Sequence, residues 1–287
     1  MLVLAQISDL HLDGTPRATE RAQRVIDHLR ALPGPVDALL VTGDIADHGA
    51  EAEYEEAAGL LGLRTGGPND GGTPFPGPPS PVPPFPVLPF PVLTCPGNHD
   101  SRAPYRKALL REPAAEGPVN RAHRVGGAVV LMCDSSIPGA DEGRLDEETY
   151  GWLEDTLDGL DGETPVLLAF HHPPVALHHP LPDAYQLDQP LALAALLERR
   201  PEVAGIIAGH AHTPAATVFA GRPLVIGPGV TWTLRLPWEG EGVADREAPV
   251  GLAFHILDDE QRLTTHFRVV RSPLGARAIP GRSPGDP

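Results

Sequence analysis

The sequence predicts an α/β fold, and three features of the chain support this prediction. Short apolar runs rich in Val, Ile and Leu alternate with segments of helical periodicity as far as residue 214. Beyond that point, strand-like runs follow one another with only turns between them. Polar side chains stand directly after five of the apolar runs. Together these features indicate βαβ units followed by a second sheet within one layered domain.

The predicted elements alternate in a regular order. Six core strands are expected at residues 2–8, 37–42, 90–95, 128–133, 165–170 and 203–209. Five helices are expected between them, at residues 17–32, 50–62, 101–111, 146–158 and 189–199. Four later runs, ATVFAG, PLVIG, VGLAFHIL and LTTHFRVV, read as strands. We expect these four to form a second sheet that packs face to face on the sheet of the core strands.

Residues 65–92 differ in composition from the rest of the chain, with 11 prolines and 5 glycines in 28 residues. Proline fixes φ and lacks a backbone donor, so an extended polyproline-like loop is expected. A surface insertion without function is the favoured interpretation, and a substrate-facing or partner-binding loop is the alternative. Residues 271–287 are expected to form a disordered tail, which leaves a single domain over residues 1–270.

The composition argues against several function classes. A formal net charge of −16 disfavours a broad nucleic-acid-binding surface, which needs clustered Lys and Arg to displace counterions. No apolar run approaches the roughly 18 residues of a membrane span, and the first residues lack the basic region of a targeting segment. Cys95 and Cys133 make no disulfide framework. We therefore expect a cytoplasmic protein with free thiols and no membrane span.

Polar motifs follow five of the predicted strands. They are SDLH with Asp9 and His11, GD with Asp44, GNHD with Asn98, His99 and Asp100, HH with His171 and His172, and GHAH with His210 and His212. Residues two apart on an extended chain point to the same side. Because open α/β folds place their ligands outside the carboxyl ends of strands, we expect these side chains to meet at one edge of the sheet.

Each motif alone also has a purely structural explanation. Gly-Asp after a strand is often only a turn, and a histidine pair before prolines can cap a loop. Seven of the 13 histidines stand in no motif, and we assign them structural roles: His28, His48, His123, His178, His179, His255 and His266. The ordered set of motifs is much harder to explain as an accident, and it favours a functional site.

The motif residues carry the donor atoms of a two-metal site. Seven are candidate ligands: Asp9, His11, Asp44, Asn98, His171, His210 and His212. These oxygens and imidazoles are too many for one small cation and suit two divalent ions that share a carboxylate such as Asp44. Mixed nitrogen and oxygen ligation without thiolate favours Mn, Fe, Zn or Co. With only two aspartates among the ligands, such a site keeps positive charge for a phosphate group.

The order D-x-H, G-D, G-N-H-D, H, G-H-x-H resembles the calcineurin-like metallophosphoesterase superfamily, over residues 7 to about 213. Within it, GNHD, HHPP and the β-rich C-terminal part are similar to the class III cyclic nucleotide phosphodiesterases of bacteria. The resemblance implies a four-layer α/β/β/α sandwich of the metallophosphoesterase type. It also implies two ligand sets that share Asp44, namely Asp9, His11 and His212 for one metal, and Asn98, His171 and His210 for the other.

The resemblance further implies a metal-dependent phosphodiesterase that hydrolyses 3′,5′-cyclic nucleotides, and 2′,3′-cyclic nucleotides as further substrates. A hydroxide shared by the metals would attack phosphorus in line, and His99 would protonate or hydrogen-bond the leaving oxygen. Asp47 is expected to orient His99, with Asp100 as the alternative. A glycerophosphodiesterase or a broad-specificity phosphoesterase is the alternative function. A DNA nuclease, or a catalytically weak interaction module that uses the proline-rich segment, is less favoured.

Substrate contacts are expected at Asn98, His172 and Trp232. Asn98 is a neutral ligand whose NH2 group can also reach a phosphate oxygen. His172 is expected to line the pocket rather than to bind metal. Trp232 can stack on a nucleobase, or it can simply pack in the second sheet. A homodimer is a further expectation from the resemblance alone.

Overall fold

The computed structural model of the chain describes residues 1–63 and 88–270. Most of the predicted proline-rich insertion, and the whole of the predicted tail, lie outside the described residues. The last part of the proline-rich segment is described, and its Leu88 and Phe90 are buried in the apolar core. This end of the segment is therefore core and not a surface loop.

The described residues form thirteen strands. They are β1 Leu2–Ile7, β2 Ala38–Thr42, β3 Val92–Cys95, β4 Arg121–Val125, β5 Ala128–Met132, β6 Val166–Ala169, β7 Val203–Ala208, β8 Ala215–Phe219, β9 Arg222–Ile226, β10 Thr233–Leu234, β11 Ala244–Asp245, β12 Gly251–Leu257 and β13 Leu263–Val269. A five-stranded sheet has the order β13-β12-β1-β2-β3, and a six-stranded sheet has the order β4-β5-β6-β7-β9-β8. The short β10 and β11 pair with each other.

Both large sheets combine parallel strands with antiparallel ones, on one side of the five-stranded sheet and at both edges of the six-stranded sheet. In the five-stranded sheet β1, β2 and β3 are parallel, whereas β12 and β13 are antiparallel to their neighbours. In the six-stranded sheet β5, β6, β7 and β9 are parallel, and β4 and β8 close the edges in antiparallel orientation. Parallel strands end at the same edge, so each sheet presents several strand ends together.

This topology corrects the predicted assignment of strands to sheets. The six predicted core strands divide between the two sheets, three in each. The C-terminal runs divide as well, because β8 and β9 join the six-stranded sheet while β12 and β13 join the five-stranded sheet. The physical reason is that apolar periodicity indicates burial but does not identify the pairing partner.

Five α-helices occur near the predicted positions: α1 Pro16–Arg30, α2 Glu51–Leu61, α3 Arg102–Tyr105, α4 Glu147–Asp158 and α5 Pro190–Arg199. A π-helix at Arg106–Leu110 continues α3, and a 3-10 helix at Pro182–Tyr185 precedes α5. Proline occupies the start of α1 and of α5, where the missing amide costs no hydrogen bond. Asp146 caps α4 by accepting a hydrogen bond from the Thr149 amide at 2.8 Å.

Three apolar layers hold these elements together. Ile26 of α1 and Tyr54 of α2 belong to a core on the outer face of the five-stranded sheet. Leu40 and Leu167 belong to a second core between the two sheets. A third core lies between the six-stranded sheet and the helices α4 and α5. The predicted four-layer α/β/β/α sandwich is confirmed.

The buried side chain of Gln6 joins the two sheets beneath the motif residues. Its Nε2 donates to Thr42 Oγ1 and to the Ala208 carbonyl, both at 2.8 Å. Because Thr42 ends β2 and Ala208 ends β7, this amide holds strand ends of both sheets close together. Residues that follow strands of different sheets can therefore form one site.

None of the helices within residues 1–63 and 88–270 is both long and apolar enough to cross a membrane.

The three apolar cores described above connect the two large sheets with each other and with the helices outside them. The boundaries of a single domain over residues 1–270 stay a prediction.

Candidate metal centre

The predicted ligands lie at the carboxyl ends of strands from both sheets. Asp9 and His11 follow β1, Asp44 follows β2, Asn98 follows β3, His171 follows β6, and His210 and His212 follow β7. The expectation of one sheet edge is therefore corrected, because the edges of two facing sheets supply the ligands. Asn98 and His210 are half-buried, and the other five are buried.

One group of donor atoms gathers around Asp9. His212 Nε2 lies 3.4 Å from Asp9 Oδ1 and 3.2 Å from His11 Nε2. His11 Nε2 lies 3.5 Å from Asp44 Oδ2. The donors of Asp9, His11 and His212 lie within 4.8 Å of one another, a spacing at which one cation can contact all three.

A second group of donors extends from Asp44 toward the six-stranded sheet. His171 Nε2 lies 3.3 Å from Asp44 Oδ2 and 3.9 Å from Asp9 Oδ1. Asn98 Oδ1 faces His210 Nδ1 at 3.1 Å. Asp44 therefore faces donors of both groups, which is the position that a bridging carboxylate needs.

The outer nitrogens of three imidazoles are held by acceptors. His11 Nδ1 donates to the Asp47 carboxylate at 2.8 Å, His212 Nδ1 to the Trp232 carbonyl at 3.2 Å and His171 Nδ1 to the Thr42 carbonyl at 2.7 Å. Because these oxygens only accept, each Nδ1 carries the hydrogen, and each Nε2 of a neutral ring presents a lone pair inward. Metal-ligating histidines take this orientation.

The inner donor atoms fit a cation better than they fit one another. Both carboxylate oxygens of Asp9, and Nε2 of His171 and His210, are buried without a hydrogen-bond partner in the described part of the chain. In the neutral rings that a metal would need, the Nε2 lone pairs of His11 and His212 face each other at 3.2 Å and would repel. Buried unpaired polar atoms are costly, and divalent cations satisfy nitrogen and oxygen donors together. The residues present therefore fit a metal centre.

The ligand-bearing turns have a strained backbone. The φ angle is positive at Asp9 (54°), His11 (43°), Asp44 (50°), His210 (69°) and His212 (53°). A left-handed conformation costs a non-glycine residue about 1 kcal/mol or more. Half of the ten such residues among those described are candidate ligands. Strain is therefore concentrated where the backbone aims side chains at the site.

Two motif glycines are required by close approach and not by turn geometry. A Cβ atom on Gly97 would overlap the Asp44 carboxylate, and one on Gly209 would overlap the Ser8 hydroxyl. Neither glycine has a positive φ. These glycines let the ends of β3 and β7 come close to the turns that follow β1 and β2.

Burial and neighbouring charge set the protonation of the imidazoles. Burial opposes protonation of His171, but the carboxylates of Asp44 and Asp9 outweigh it and raise its pKa to about 9. Burial, reinforced by His171, lowers the pKa of His210 to about 3. Burial also lowers the pKa of His212 to about 4, against the opposing effect of Asp9. His210 and His212 are thus neutral near pH 7, whereas His171 would have to give up a proton in order to bind a metal.

The predicted pair of His99 and Asp47 is arranged differently from the expectation. His99 Nδ1 donates to the main-chain carbonyl of Asp47 at 2.8 Å and lies 3.8 Å from its carboxylate. The Asp47 carboxylate instead accepts from His11, and this hydrogen bond lowers the pKa of Asp47. Asp47 thus contacts His99 through its backbone, and its side chain orients His11.

Asp100, the alternative partner for His99, has another place. Its carboxylate accepts hydrogen bonds from the amides of Ile45, Ala46 and Gly97. Burial and the nearby Asp44 raise the pKa of Asp100 to about 6. Asp100 therefore ties the turn after β2 to the turn after β3.

The three predicted substrate contacts occupy different positions. Asn98 borders a cleft. His172 is fully buried, with Nδ1 2.8 Å from Ser135 Oγ. The Trp232 ring stacks on His11 and His212, with ring centres 4.8 and 4.9 Å apart, and does not simply pack in the second sheet.

The sequence motifs do not predict the cleft that lies beside His99. Its volume is about 400 Å³, and Asn98, His99, Arg102 and Ser136 are among its lining residues. Arg102 donates to Asp134 Oδ2 and to the Ser136 carbonyl, both at 2.8 Å, and so anchors the start of α3 to the loop after β5. Asp134 is itself a polar residue just after a core strand. The same strand-end pattern that indicated the candidate ligands could therefore have indicated Asp134.

Comparison with known proteins agrees with this geometry. A family model described as Calcineurin-like phosphoesterase matches residues 2–214. The chain belongs to the calcineurin-like phosphoesterase family. The predicted family is confirmed, and with it the class of metal-dependent hydrolases.

Several proteins with named functions are similar to the chain. The cAMP/cGMP dual specificity phosphodiesterase MT0825 of Mycobacterium tuberculosis (strain CDC 1551 / Oshkosh) is 30% identical over 267 residues, which cover 90% of this chain and 76% of that protein. The 3′,5′-cyclic adenosine monophosphate phosphodiesterase CpdA of Pseudomonas aeruginosa is 28% identical, and the match covers 92% of this chain and 88% of that protein. The glycerophosphodiester phosphodiesterase GpdQ of Enterobacter lignolyticus (strain SCF1) is 29% identical, and the match covers 76% of this chain and 73% of that protein.

A solved structure shows the same fold. A dimetal phosphatase from Danio rerio superposes with a TM-score of 0.62 at 13% identity, over 94% of this chain and 99% of that one. At this identity the likeness concerns the fold alone.

Proposed function

We propose that this calcineurin-like phosphoesterase hydrolyses 3′,5′-cyclic nucleotides, and 2′,3′-cyclic nucleotides as further substrates. The observation that carries the proposal is the pair of buried donor groups that meet at Asp44, next to the exposed ring of His99. The relatives named cAMP/cGMP dual specificity phosphodiesterase and CpdA support this substrate class.

We assign one cation to Asp9, His11, Asp44 and His212, and the other to Asp44, Asn98, His171 and His210. When bound there, two divalent cations would supply Lewis acidity and would lower the pKa of bound water toward neutrality. Mn, Fe and Zn suit the nitrogen and oxygen donors. Because Asn98 is neutral, the loaded site keeps positive charge, which attracts an anionic diester despite the chain's net charge of −16.

His99 is the residue proposed to meet the leaving oxygen. Its Nδ1 is held by the Asp47 carbonyl, so the Nε2–H of the protonated ring is free to be donated. Its ring touches His11 edge-on, with centres 4.6 Å apart, which places it beside the donor groups. The side chain is 40% exposed, so solvent can return the proton after each turnover.

The cleft beside His99 is the proposed place of the substrate's organic part. A volume of about 400 Å³ falls within the range of small-molecule sites. An alkoxide that receives a proton from His99 carries its organic substituent on this side of the site. Ser101, Glu116 and Ser136 offer polar groups to sugar or glycerol hydroxyls there.

Glycerophosphodiesters are the second candidate substrates, favoured by the similarity to GpdQ. A DNA nuclease is disfavoured by the acidic net charge, since DNA binding requires a basic surface. A catalytically weak interaction module could hold the same metals, but it gives no role to the exposed ring of His99 beside the donor groups.

A substrate panel on metal-defined enzyme tests the proposal. The full chain is stripped of metal, reloaded with Mn²⁺, Fe²⁺ or Zn²⁺, and assayed on cyclic nucleotides, a glycerophosphodiester, a phosphomonoester and linear DNA. We expect the highest kcat/KM on 3′,5′-cyclic nucleotides, and no loss in His266→Ala, which changes an exposed histidine of β13. A higher value on the glycerophosphodiester would favour the second candidate. No hydrolysis of any substrate, including bis-p-nitrophenyl phosphate, would overturn both.

We also propose, from the family resemblance alone, a cytoplasmic homodimer. Light scattering of the full chain should return twice the mass of one chain, and cell fractionation should recover the protein in the cytoplasm. A monomeric mass or a different compartment would contradict this.

A further inference from the structure

Residues 229–232, here called the strap, connect the ligand-bearing turns of the two sheets. The Val230 and Thr231 amides donate to the carbonyls of Ser8 and Asp9, at 2.9 and 3.2 Å. The Gly229 amide donates to the His212 carbonyl at 2.9 Å. The turn after β1 belongs to the five-stranded sheet and the turn after β7 to the six-stranded sheet, so this loop bonds both.

Trp232 extends the strap onto the imidazoles themselves. Its indole lies on His212 at 4.9 Å with an interplanar angle of 14°, and on His11 at 4.8 Å with an angle of 26°. Its carbonyl accepts the Nδ1 hydrogen of His212 at 3.2 Å. One residue therefore restricts two candidate ligands that come from different sheets.

The strap is itself anchored from outside. The buried Arg21 of α1 donates from Nε to the Val230 carbonyl at 2.7 Å and from Nη2 to the Ala248 carbonyl at 2.8 Å. The Arg246 guanidinium lies 5.5 Å from the centre of the Trp232 ring. Trp232 is therefore fixed in position before any cation arrives.

Among the described residues, the hydrogen bonds and ring contacts of the strap reach His11 and His212 but not Asn98, His171 or His210. We propose that Trp232 is a positioning residue that preorganises the cation site of Asp9, His11 and His212, and leaves the other cation site unaffected. This inference rests on the proposed metal-dependent function. The physical reason is that rings already held in their ligating orientation lose less conformational freedom when they bind.

Stepwise Mn²⁺ binding to the metal-free full chain, followed by calorimetry, tests the proposal. His212→Gln identifies the step that belongs to the strap side, and His210→Gln identifies the other step. We expect Trp232→Leu to weaken the strap-side step by about tenfold or more and to change the other by about twofold at most. Trp232→Phe, which retains an aromatic ring, should restore most of the affinity. Trp238→Phe, which changes an indole 72% exposed on the surface, is the matched control.

Tryptophan fluorescence gives a second readout that does not depend on how well Trp232→Leu folds. Trp152→Phe with Trp238→Phe leaves Trp232 as the sole tryptophan of the three. Paramagnetic Mn²⁺ should quench its emission in the strap-side step and less in the other step.

The outcomes separate this proposal from the proposed function. If the wild-type chain binds no Mn²⁺, both fail. If it binds two ions but Trp232→Leu weakens neither step, or weakens both alike, only the role of Trp232 is overturned. Quenching confined to the step that His210→Gln removes would overturn it as well.

Discussion

The two ligand groups of the metal centre differ in how firmly the protein holds them. In the group of Asp9, His11 and His212, both rings are bonded at their outer nitrogens and stack on each other with centres 5.0 Å apart. In the other group, Asn98 and His210 are half-buried, and Asn98 borders the cleft. We infer that the first group is built to retain a cation, while the second exposes its cation to substrate.

The largest expected effect comes from the residue that both groups share. Asp44→Asn puts a neutral amide of the same shape between them, so both cations of the proposed assignment would lose a charged ligand. We expect kcat/KM on cAMP to fall by about 10³-fold or more, equivalent to about 4 kcal/mol. Metal content by mass spectrometry should fall in parallel. Asp161→Asn, in an exposed turn, is the matched control. Retention of two cations and of near-normal turnover would show that Asp44 bridges nothing.

The next effect belongs to the exposed side of the comparison. His99→Ala removes the proposed proton donor but no ligand, so turnover should drop by about 10²-fold or more while metal content stays. The loss should be larger for cyclic nucleotides than for aryl esters with good leaving groups. His48→Ala changes an adjacent histidine, 66% exposed beside Asp47, and should have little effect. Equal losses on both substrate types would contradict a role at the leaving oxygen.

A change of charge without a change of shape separates holding metal from attracting substrate. Asn98→Asp should keep both cations, because a carboxylate also ligates them. The added negative charge should repel the diester and lower kcat/KM by more than about tenfold, or about 1.4 kcal/mol. The kinetics and the metal content are measured on the same preparation. Unchanged kinetics would remove the argument from charge.

Asp47→Asn sharpens the comparison, because the Asp47 side chain serves one group and its main chain serves His99. The variant weakens the hold on His11, so affinity for the strap-side cation should fall by about tenfold. The His99 contact uses the backbone carbonyl and survives, so the dependence of rate on leaving group should not change. A changed leaving-group dependence at saturating metal would return the Asp47 carboxylate to the role first expected of it.

The smallest effect concerns His255, a buried histidine outside both groups. Burial lowers its pKa in the folded chain to about 3, from an ordinary value of 6.5. The unfolded chain therefore binds more protons between these values, and stability is lost as pH falls below about 6.5, by about 1.4 kcal/mol per pH unit.

His255→Gln should keep full activity and remove about 2 kcal/mol of the loss in unfolding free energy between pH 7 and pH 5. Urea unfolding at both pH values measures this. An identical pH dependence in the variant and the wild-type chain would mean that His255 does not resist protonation.

Much of the fold and of the gathering of polar side chains could be predicted because both depend on local patterns. Apolar runs located the central strands, and polar residues just after them located side chains that the structure brings close together. The division of strands between sheets could not be predicted, since β9 and β12 are both apolar enough to pair in either sheet. The hydrogen-bond partner of the Asp47 carboxylate could not be predicted either. His11 and His99 both lie close to Asp47, and only the path of the backbone decides which of them the carboxylate contacts.

The contacts of the strap could not be predicted from the sequence for a different reason. Its hydrogen bonds come mainly from amides and carbonyls, which every sequence possesses. The most distinctive side chain of the strap is Trp232, and an aromatic residue after a strand-like run is usually interpreted as core. Contacts that depend on backbone groups from distant turns leave no pattern in the residue types.

The split of the ligands between two sheets also affects how the protein matures. Asp9, Asp44 and Asn98 leave the ribosome well before His171, His210 and His212, so neither complete set can exist until the second sheet has been made and has docked. A cation that binds only the assembled sandwich then stabilises it by mass action. Metal binding would therefore show that the two sheets have docked, and a chain truncated before β7 should be unable to acquire its metal ions.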